Sequence, residues 1–404
     1  MSVVLAGAVA LFFTACGGSP PDTTLVVSDD PELAELAREL LPDLARRSGL
    51  ELREPVRLAR RSREDLVRYL EVKLDDELPP ERARWMTESY ALLGLVPDTL
   101  ELRRILLDVY TEQVAGFYDP DSTALFVMED QPAENVRTVL VHELVHAVQD
   151  QATDLDSLTA PDRGNDRQVA AQAAIEGHAT LVMLEYLTEA VRGQPLDLSQ
   201  VPDFSRQIRP ALEGLRAQYP ALAGAPEVIQ ESLLFPYLEG AGFVQRLWRT
   251  REGRPAPFGS LLPLSTEQVL DPSRLLGDPA DPPTAVDVRL PAGGRALYAD
   301  GLGEMELRVF LRTVAGSELP PGPLGWDGDR YVLVEGPEGR RGLVWFSVWD
   351  DEAARDAFLE RARSALERLP RPATLEGLTL DGRPGAFLRV GDAPTVVPRL
   401  VEGG

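Results

Sequence analysis

Two histidines stand four residues apart in the segment TVLVHELVHAVQD (138–150), and a glutamate directly follows the first of them. On a helix, His142 and His146 would project from the same face and offer two imidazole nitrogens to one zinc ion. Glu143 would lie about 100° around the helix axis, beside the metal, where a general base is needed. The pattern therefore predicts a catalytic zinc helix. The alternative is an ordinary buried helix that carries two hydrogen-bonded histidines.

The other residues of this segment favour the zinc site. Apolar side chains occupy most of the helix surface, and His142, His146 and Gln149 share the one remaining strip. Burying polar groups without partners is costly, so this strip needs a partner on a helix that is otherwise apolar. A metal ion would be such a partner.

A third protein ligand is expected on the next helix, in the segment AAIEGHATLV (173–182). Both Glu176 and His178 can bind zinc, but residues two apart on a helix point about 200° apart, so only one of them can face the metal. A third histidine six residues after His146 is excluded. Gln149 and Ala152 occupy the positions of the glycine and the histidine that such a site needs.

The elements that must position these residues are mainly helices. A turn signal at 119–122 separates two apolar runs and predicts a β-hairpin over 114–128, directly before the zinc helix. The predicted fold class is a helix-rich α+β protein, in which a small sheet, the zinc helix and the glutamate-bearing helix form a catalytic core. Helices are expected at 29–49, 62–74, 81–95, 98–113, 132–151, 166–191, 227–249, 303–314 and 351–369, and further strands at 53–60, 330–336, 341–349 and 382–392.

The N-terminal residues have the pattern of a secretion signal. The apolar run VVLAGAVALFFTA (3–15) is too short to span a bilayer and suits a signal peptide. It ends in FTAC, which resembles a bacterial lipobox, so Cys16 is expected to be lipidated after cleavage. The protein is therefore expected in the cell envelope, lipid-anchored on the periplasmic or extracellular face, or otherwise secreted. The predicted segments are a signal peptide (1–15), the lipidated cysteine with a linker (16–30), an N-terminal helical region (31–110), the catalytic core (111–275), a second linker (276–295) and a small C-terminal α+β subdomain (296–395).

Composition excludes one class of partner. The 404-residue chain has 65 acidic against 41 basic side chains and a net charge of −24, so it lacks the basic surface that nucleic acid binding requires. Apolar residues make up 44% of the chain, which is enough for a sizeable core.

HELVH followed by EGHA resembles the gluzincin branch of the HExxH zinc metallopeptidases. The chain is also similar to an uncharacterised group of secreted and lipid-anchored bacterial and archaeal proteins of this type. The similarity rests on the phrases TEQVAGFYDP, HELVHAVQDQ, EGHAT, FPYLEGAGFV, STEQVL and GWDGDRYVL, which run from Thr111 to Leu333. The resemblance implies a zincin-like core over 111–275, Zn²⁺ as the cofactor and Glu176 as the third ligand. His178 is the alternative ligand, and otherwise a neighbour of the site.

Further roles follow from the same resemblance. Zincins pair extended substrate with an edge strand above the metal, and Ala124–Met128 is the candidate for that strand; the alternative is a plain interior strand. Tyr237 is the candidate donor to the oxyanion, with Tyr186 or an arginine as alternatives. Gly177 is expected to let the helix of Glu176 approach the zinc helix closely. Thr180 stands where thermolysin-like enzymes carry an aspartate, so the hydrogen-bond partner of a ligand histidine is unassigned.

The predicted function is zinc-dependent hydrolysis of bonds in a peptide or protein substrate outside the cytoplasm, with Glu143 taking the proton of the attacking water. One alternative is a catalytically inactive, envelope-tethered binding or assembly protein on the same fold. The other is a zinc hydrolase of non-protein amides or esters. The intact Glu143 favours an enzyme, because an inactive protein would be free to lose its base. The zinc chemistry is common to peptidases and other hydrolases, so the sequence does not separate these two.

Overall fold

The computed structural model describes residues 25–202, 204–216, 218–320, 322–336 and 338–401. The predicted signal peptide (1–15) and Cys16 lie outside the described residues, so the expected lipid anchor stays a prediction. The described chain is a helix-rich α+β protein with an N-terminal mixed sheet, a helical core and a C-terminal antiparallel sheet, which confirms the predicted fold class. Within these ranges, no helix combines the length and the apolar character needed to cross a membrane.

The N-terminal sheet lies beside the helix that carries His142 and His146. Its four strands are β1 (Val26–Val27), β2 (Val56–Arg61), β3 (Gly116–Asp119) and β4 (Ala124–Met128), in the order β1-β2-β4-β3. The predicted hairpin is confirmed, because β3 and β4 pair antiparallel. The expectation that β4 forms an edge is wrong: β2, from a distant part of the chain, pairs with it in parallel on the other side. The edge of the sheet is β3.

Helices make up most of the remaining structure up to residue 276. Their ends follow local signals, for example Ser62, whose side chain accepts a hydrogen bond from the Asp65 backbone N–H at the start of the second helix. They are α1 (Pro31–Ser48), α2 (Arg63–Glu77), α3 (Pro80–Leu92), α4 (Leu102–Gln113), α5 (Ala133–Thr153), α6 (Leu155–Leu158), α7 (Asn165–Arg192), α8 (Phe204–Arg216), α9 (Pro220–Gly224), α10 (Glu227–Thr250), α11 (Thr266–Leu270) and α12 (Ser273–Leu276).

Helices α7 and α10 cross with their backbones close together. A Cβ atom on Gly177 would lie 2.1 Å from the carbonyl carbon of Gly240, and one on Gly240 would lie 2.1 Å from the backbone oxygen of Ala173. The two backbones are therefore in direct contact, which only glycine permits. The expectation that Gly177 serves an approach to the zinc helix α5 is wrong, because the helix that it admits is α10.

The C-terminal part of the chain is a twisted sheet with helices packed on it. The aromatic side chains Phe310, Trp345 and Phe358 lie in its core, with ring centroids 5.6 and 5.7 Å apart. The five-stranded sheet has the order β6-β7-β8-β10-β9, and β5 pairs with β11. The elements are β5 (Val286–Arg289), β6 (Arg295–Asp300), α13 (Gly303–Thr313), β7 (Trp326–Glu335), β8 (Arg341–Trp349), α14 (Glu352–Ala362), β9 (Ala373–Leu380), β10 (Arg383–Gly391) and β11 (Val397–Leu400).

Candidate metal centre

Helix α5 carries His142, Glu143 and His146 in its central turns. It begins after Pro132 and ends where Asp154 adopts a left-handed φ of 52°. The three side chains are at most 1% exposed. Burial follows from packing, because α5 contacts β3, β4, α1 and α7. The predicted helix is thus confirmed, together with the burial of its polar strip.

Three ligand atoms converge at one point between α5 and α7. Nε2 of His142 lies 2.9 Å from Nε2 of His146 and 3.0 Å from Oε2 of Glu176, and the last two atoms are 3.4 Å apart. Over the described residues, this is the one group of three such side chains found close enough to hold a metal ion. Ligands placed tetrahedrally at about 2.0–2.1 Å from zinc are about 3.3 Å from one another. The three atoms therefore fit a zinc ion with small adjustments.

The amide of Gln149 fixes the orientation of His146. Nε2 of Gln149 lies 3.0 Å from the backbone oxygen of Ile175, so this end of the amide donates. Its Oε1 atom must then accept from Nδ1–H of His146, at 2.7 Å. A proton on Nδ1 leaves the lone pair of Nε2 directed at the other two ligand atoms. Gln149 is thus the hydrogen-bond partner of a candidate ligand histidine, the role that was unassigned from the sequence.

Glu176 is held from its own helix. Nε2 of Gln172, one turn earlier on α7, donates to Oε1 of Glu176 at 2.9 Å, and Oε2 is left to face the histidines. Burial alone would raise the pKa of Glu176, but His146 and His142 outweigh it and hold that pKa well below its usual range. Burial likewise opposes protonation of His146, and Glu176 nevertheless raises the pKa of His146. The site thus pairs an ionised carboxylate with positive charge, a charge that a divalent cation would supply.

Glu143 stands beside this group and is not one of its three members. Its Oε2 atom accepts a hydrogen bond of 2.7 Å from the backbone N–H of Tyr118 on β3. Its Oε1 atom has no hydrogen-bond partner among the described residues. Burial raises the pKa of Glu143 to about 8. One oxygen is therefore anchored and the other is free, which is the arrangement that a proton acceptor requires.

His178 points away from the three ligand atoms. Its Nδ1 atom accepts from Nε2 of Gln149 at 3.0 Å, and its ring packs edge-on against Trp248 and Phe258, with centroids 5.9 and 6.0 Å away. Burial lowers the pKa of His178 to about 3, so the ring is neutral. Between the two candidates, the fold brings Glu176 to the histidines and sends His178 to the far side of Gln149.

We refer to His142, His146 and Glu176 as the metal group. A cavity of about 480 Å³ adjoins it, and Glu176 and Tyr237 both line this cavity. The Tyr237 ring centroid lies 6.2 Å from that of His142. The alternative oxyanion donor, Tyr186, accepts a hydrogen bond from Arg137 at 3.0 Å and is not among the residues that line this cavity. The structure thus brings Tyr237, and not Tyr186, to the neighbourhood of the candidate centre.

Sequence reasoning missed the supporting residues of the site. Gln149 had a visible signal, because it shares the polar strip of α5 with the histidines. Gln172 had a weaker one, since it precedes Glu176 by four residues and so lies on the same helix face. The backbone N–H of Tyr118 had none, because its approach to Glu143 depends on how the sheet packs on α5.

Comparison with known proteins reaches the C-terminal part of the chain. Residues 291–402 match a family model described as "Domain of unknown function (DUF8575)". No curated protein matches the chain, and no solved structure matches it. The matched residues include β6 to β11, α13 and α14 and none of the residues of the metal group. The match is therefore confined to the C-terminal part of the chain, and the metal chemistry has to be argued from the site itself.

Proposed function

We propose that this protein hydrolyses peptide bonds in a zinc-dependent reaction. The observation that carries the proposal is the convergence of two Nε2 atoms and one carboxylate oxygen within 3.4 Å, in a site at most 1% exposed. Such electron-pair donors repel one another unless a cation or a proton lies between them. Two imidazoles and a carboxylate are a donor set that suits zinc, and three protein ligands leave one position open, as in catalytic rather than structural zinc sites.

A bound zinc ion would supply a Lewis acid and a water molecule of lowered pKa. Glu143 would take the proton of the attacking water on its free Oε1 atom and later deliver it to the leaving amine. Its second oxygen would stay on the N–H of Tyr118, which keeps the carboxylate in place during both transfers. Tyr237, on the cavity wall, would donate to the oxyanion through its hydroxyl group.

The edge strand β3 would hold the substrate backbone. The backbone oxygen of Ala115 accepts from the N–H of Met128 at 3.0 Å, so Gly116 and Tyr118 direct their backbone groups away from β4. The N–H of Tyr118 is bonded to Glu143, so the groups that would pair with substrate are those of Gly116 and the carbonyl oxygen of Tyr118. Extended peptide can add to such an edge by main-chain hydrogen bonds. A Cβ atom on Gly116 would lie 2.5 Å from Val139 of α5, so glycine keeps this edge close to the metal helix.

We further propose that the reaction takes place outside the cytoplasm. The support is the apolar run at 3–15 followed by Cys16, in a chain whose later part carries the metal group. Radiolabelled palmitate incorporated in wild type and absent from Cys16→Ser would support the lipid anchor. Equal labelling of the two would exclude it.

The first test is metal content, measured by elemental mass spectrometry on the form that starts at Gly17. We expect about one zinc per chain in wild type and in His178→Ala, and a loss of zinc in Glu176→Ala. Zinc lost only in His178→Ala would move the third ligand. A wild type without zinc after zinc supplementation would refute the metal site and favour a secreted binding protein.

The second test is cleavage of a mixed peptide library, followed by mass spectrometry. Glu143→Gln should keep its zinc and lose about 10²- to 10⁴-fold in rate, since it removes only the general base. Zinc-loaded wild type that cleaves non-peptide esters or amides and no peptide would refute the peptidase and leave another hydrolase. A wild type that binds zinc and cleaves nothing would leave the inactive binding protein.

A further inference from the structure

The cavity beside the metal group extends along one face of α7. Asn165, Gln168, Gln172 and Glu176 all line it, at helical spacing. Because a helix rises 1.5 Å per residue, the Asn165 end lies about 16 Å from Glu176. This length matches about five residues of extended peptide at roughly 3.3 Å each. The cavity can therefore contact a substrate well beyond the bond at the metal.

The far end of the cavity is acidic and is formed largely by the C-terminal sheet and α13. Glu306 of α13 is 1% exposed and lines the cavity. Its Oε1 atom accepts from the Tyr90 hydroxyl at 2.7 Å and from Nδ2 of Asn165 at 2.8 Å. Its Oε2 atom has no hydrogen-bond partner in the described part of the chain. We refer to Glu306, Asp300, Tyr90, Tyr298 and Asn165 as the acidic end.

A second unpaired polar atom adjoins the acidic end. The Tyr331 hydroxyl is fully buried and has no hydrogen-bond partner among the described residues. Its ring centroid lies 6.5 Å from that of Tyr90 and 6.0 Å from that of Tyr298. Asp300 differs, since it accepts from the Asn165 N–H and from the Tyr298 hydroxyl, both at 2.9 Å. Of these two unpaired atoms, Oε2 of Glu306 belongs to a residue that lines the cavity, whereas Tyr331 is not among the lining residues. The unpaired oxygen that a ligand in the cavity can satisfy is therefore Oε2 of Glu306.

The charge of the cavity wall favours a cation. Two basic side chains line it, Lys73 and Arg82. They are outnumbered by five carboxylates: Glu77, Asp156, Glu176, Asp300 and Glu306. Lys73 is paired with Asp121 at 2.5 Å. Arg82 donates to the backbone oxygens of Pro161 and Glu77, at 3.1 and 3.3 Å. Among the described residues, the acidic end forms no group of three metal-ligand side chains.

We propose that the acidic end binds a primary ammonium group of the peptide substrate and that Glu306 determines this specificity. The inference rests on the proposed peptidase function and deepens it by naming the substrate class. An ammonium group is a compact charge with three donors, which suits the free Oε2 of Glu306 and the phenol oxygens of Tyr90 and Tyr298, which also line the cavity. The group can come from the peptide N-terminus or from a lysine side chain, at about five residues from the cleaved bond. The C-terminal sheet thereby contributes to substrate binding.

The test measures peptide binding without turnover. Isothermal titration of Glu143→Gln protein with hexapeptides should show tight binding when a primary amine is present. N-acetylation of a lysine-free peptide removes its N-terminal amine, and exchange of lysine for norleucine in an acetylated peptide removes the side-chain amine. The change that removes the bound amine should weaken binding by about 10- to 100-fold, since a hydrogen bond to a charged group is lost. The peptide that loses affinity identifies the source of the amine. Equal binding of amine-containing and amine-free peptides would overturn the proposal.

Substitutions in the acidic end test which residues bind the amine. Adding Glu306→Gln, which keeps the side-chain shape, should abolish the preference for amines. Tyr298→Phe, which removes only a hydroxyl group of the cavity wall, should weaken it and serves as a second variant should Glu306→Gln unfold. Glu77→Gln removes an exposed carboxylate of the same cavity and should change little. A preference for amines that survives Glu306→Gln in folded protein would overturn the assignment.

The two proposals fail separately. Amine-dependent binding without cleavage by zinc-loaded wild type would refute the peptidase and retain the amine site. Cleavage and binding that both ignore the amine would refute the amine site and retain the peptidase.

Discussion

Gln149→Leu should weaken zinc binding without touching a ligand. In the structure, the Gln149 amide accepts from Nδ1–H of His146 at 2.7 Å and donates to the Ile175 oxygen and to Nδ1 of His178, both at 3.0 Å. Leucine has a similar size and removes all three hydrogen bonds. The His146 ring then loses the contact that keeps the proton on Nδ1 and the lone pair of Nε2 on the metal.

The expected losses of zinc affinity and of stability follow from these contacts. Loss of an outer partner of a metal ligand costs about 10- to 100-fold in metal affinity, or about 1.4–2.8 kcal/mol. Stability should fall as well, because a buried group left unpaired costs about 1–3 kcal/mol and the Ile175 oxygen and His178 both lose a donor. The two unpaired groups together cost less than the stability of most domains, which is about 5–15 kcal/mol, so we expect a folded variant with weakened zinc binding.

Competition with a chromophoric chelator measures the zinc affinity, and urea denaturation of the metal-free protein measures the stability. Gln149→Glu is the matched control, since it keeps an acceptor for His146 and loses the amide donor. We expect Gln149→Glu to lose stability and retain zinc affinity, whereas Gln149→Leu should lose both. Zinc affinity equal to wild type in folded Gln149→Leu would refute the role given to this amide.

Three further predictions concern packing, titration and catalysis. Gly177→Ala places a methyl group on the backbone of Gly240 and should lower the free energy of unfolding by about 3 kcal/mol or more, at the upper end of overpacking effects. Gly214→Ala is the control, because that position has open space around it and the change should be neutral in urea denaturation. Equal stability of the two variants would contradict the close crossing of α7 and α10. Without a bound cation, burial raises the pKa of Glu306 to about 8, so the folded state holds a proton that the unfolded state releases above its ordinary pKa of 4.5, and this group's contribution to stability should fall as the pH rises from about 4.5 to 8. A bound ammonium group would favour the ionised carboxylate and displace that proton. Glu306→Gln should therefore flatten the pH dependence of the urea midpoint over that window, and an unchanged slope would refute the burial argument. Tyr237→Phe should lower kcat more than it changes KM and keep the zinc content, whereas an unaltered kcat would remove Tyr237 from the reaction.

Local patterns made much of the architecture accessible from the sequence. The helical spacing of apolar residues located α5 and α7, and the turn signal at 119–122 located the β3–β4 hairpin, because such signals act within a few residues. The neighbours of that hairpin were beyond local reasoning. The parallel pairing of β2 with β4 joins Arg57 to Ala124, and no feature of either strand specifies the other.

The candidate site likewise has a part that the sequence predicts and a part that depends on tertiary packing. The sequence by itself determined the pair His142 and His146 with Glu143 beside them, since helix geometry alone puts two residues four apart on one face. It reduced the third ligand to Glu176 or His178 and could not choose from the residues, because the choice depends on how α7 is rotated against α5. The tertiary structure made that choice. Gly177 admits α10 against α7, Gln149 binds the Ile175 oxygen and His178, and Glu176 on the same helix faces the two histidines.

Only the tertiary structure decided what surrounds the metal group. The N–H of Tyr118 reaches Glu143 across 25 residues of sequence, and Glu306 joins Asn165 at the end of the cavity across 141. Such contacts form when the sheet, the helical core and the C-terminal part of the chain pack together. The physical reason is that a helix specifies the directions of its own side chains over one or two turns, whereas the partners they meet are set by the packing of the whole chain.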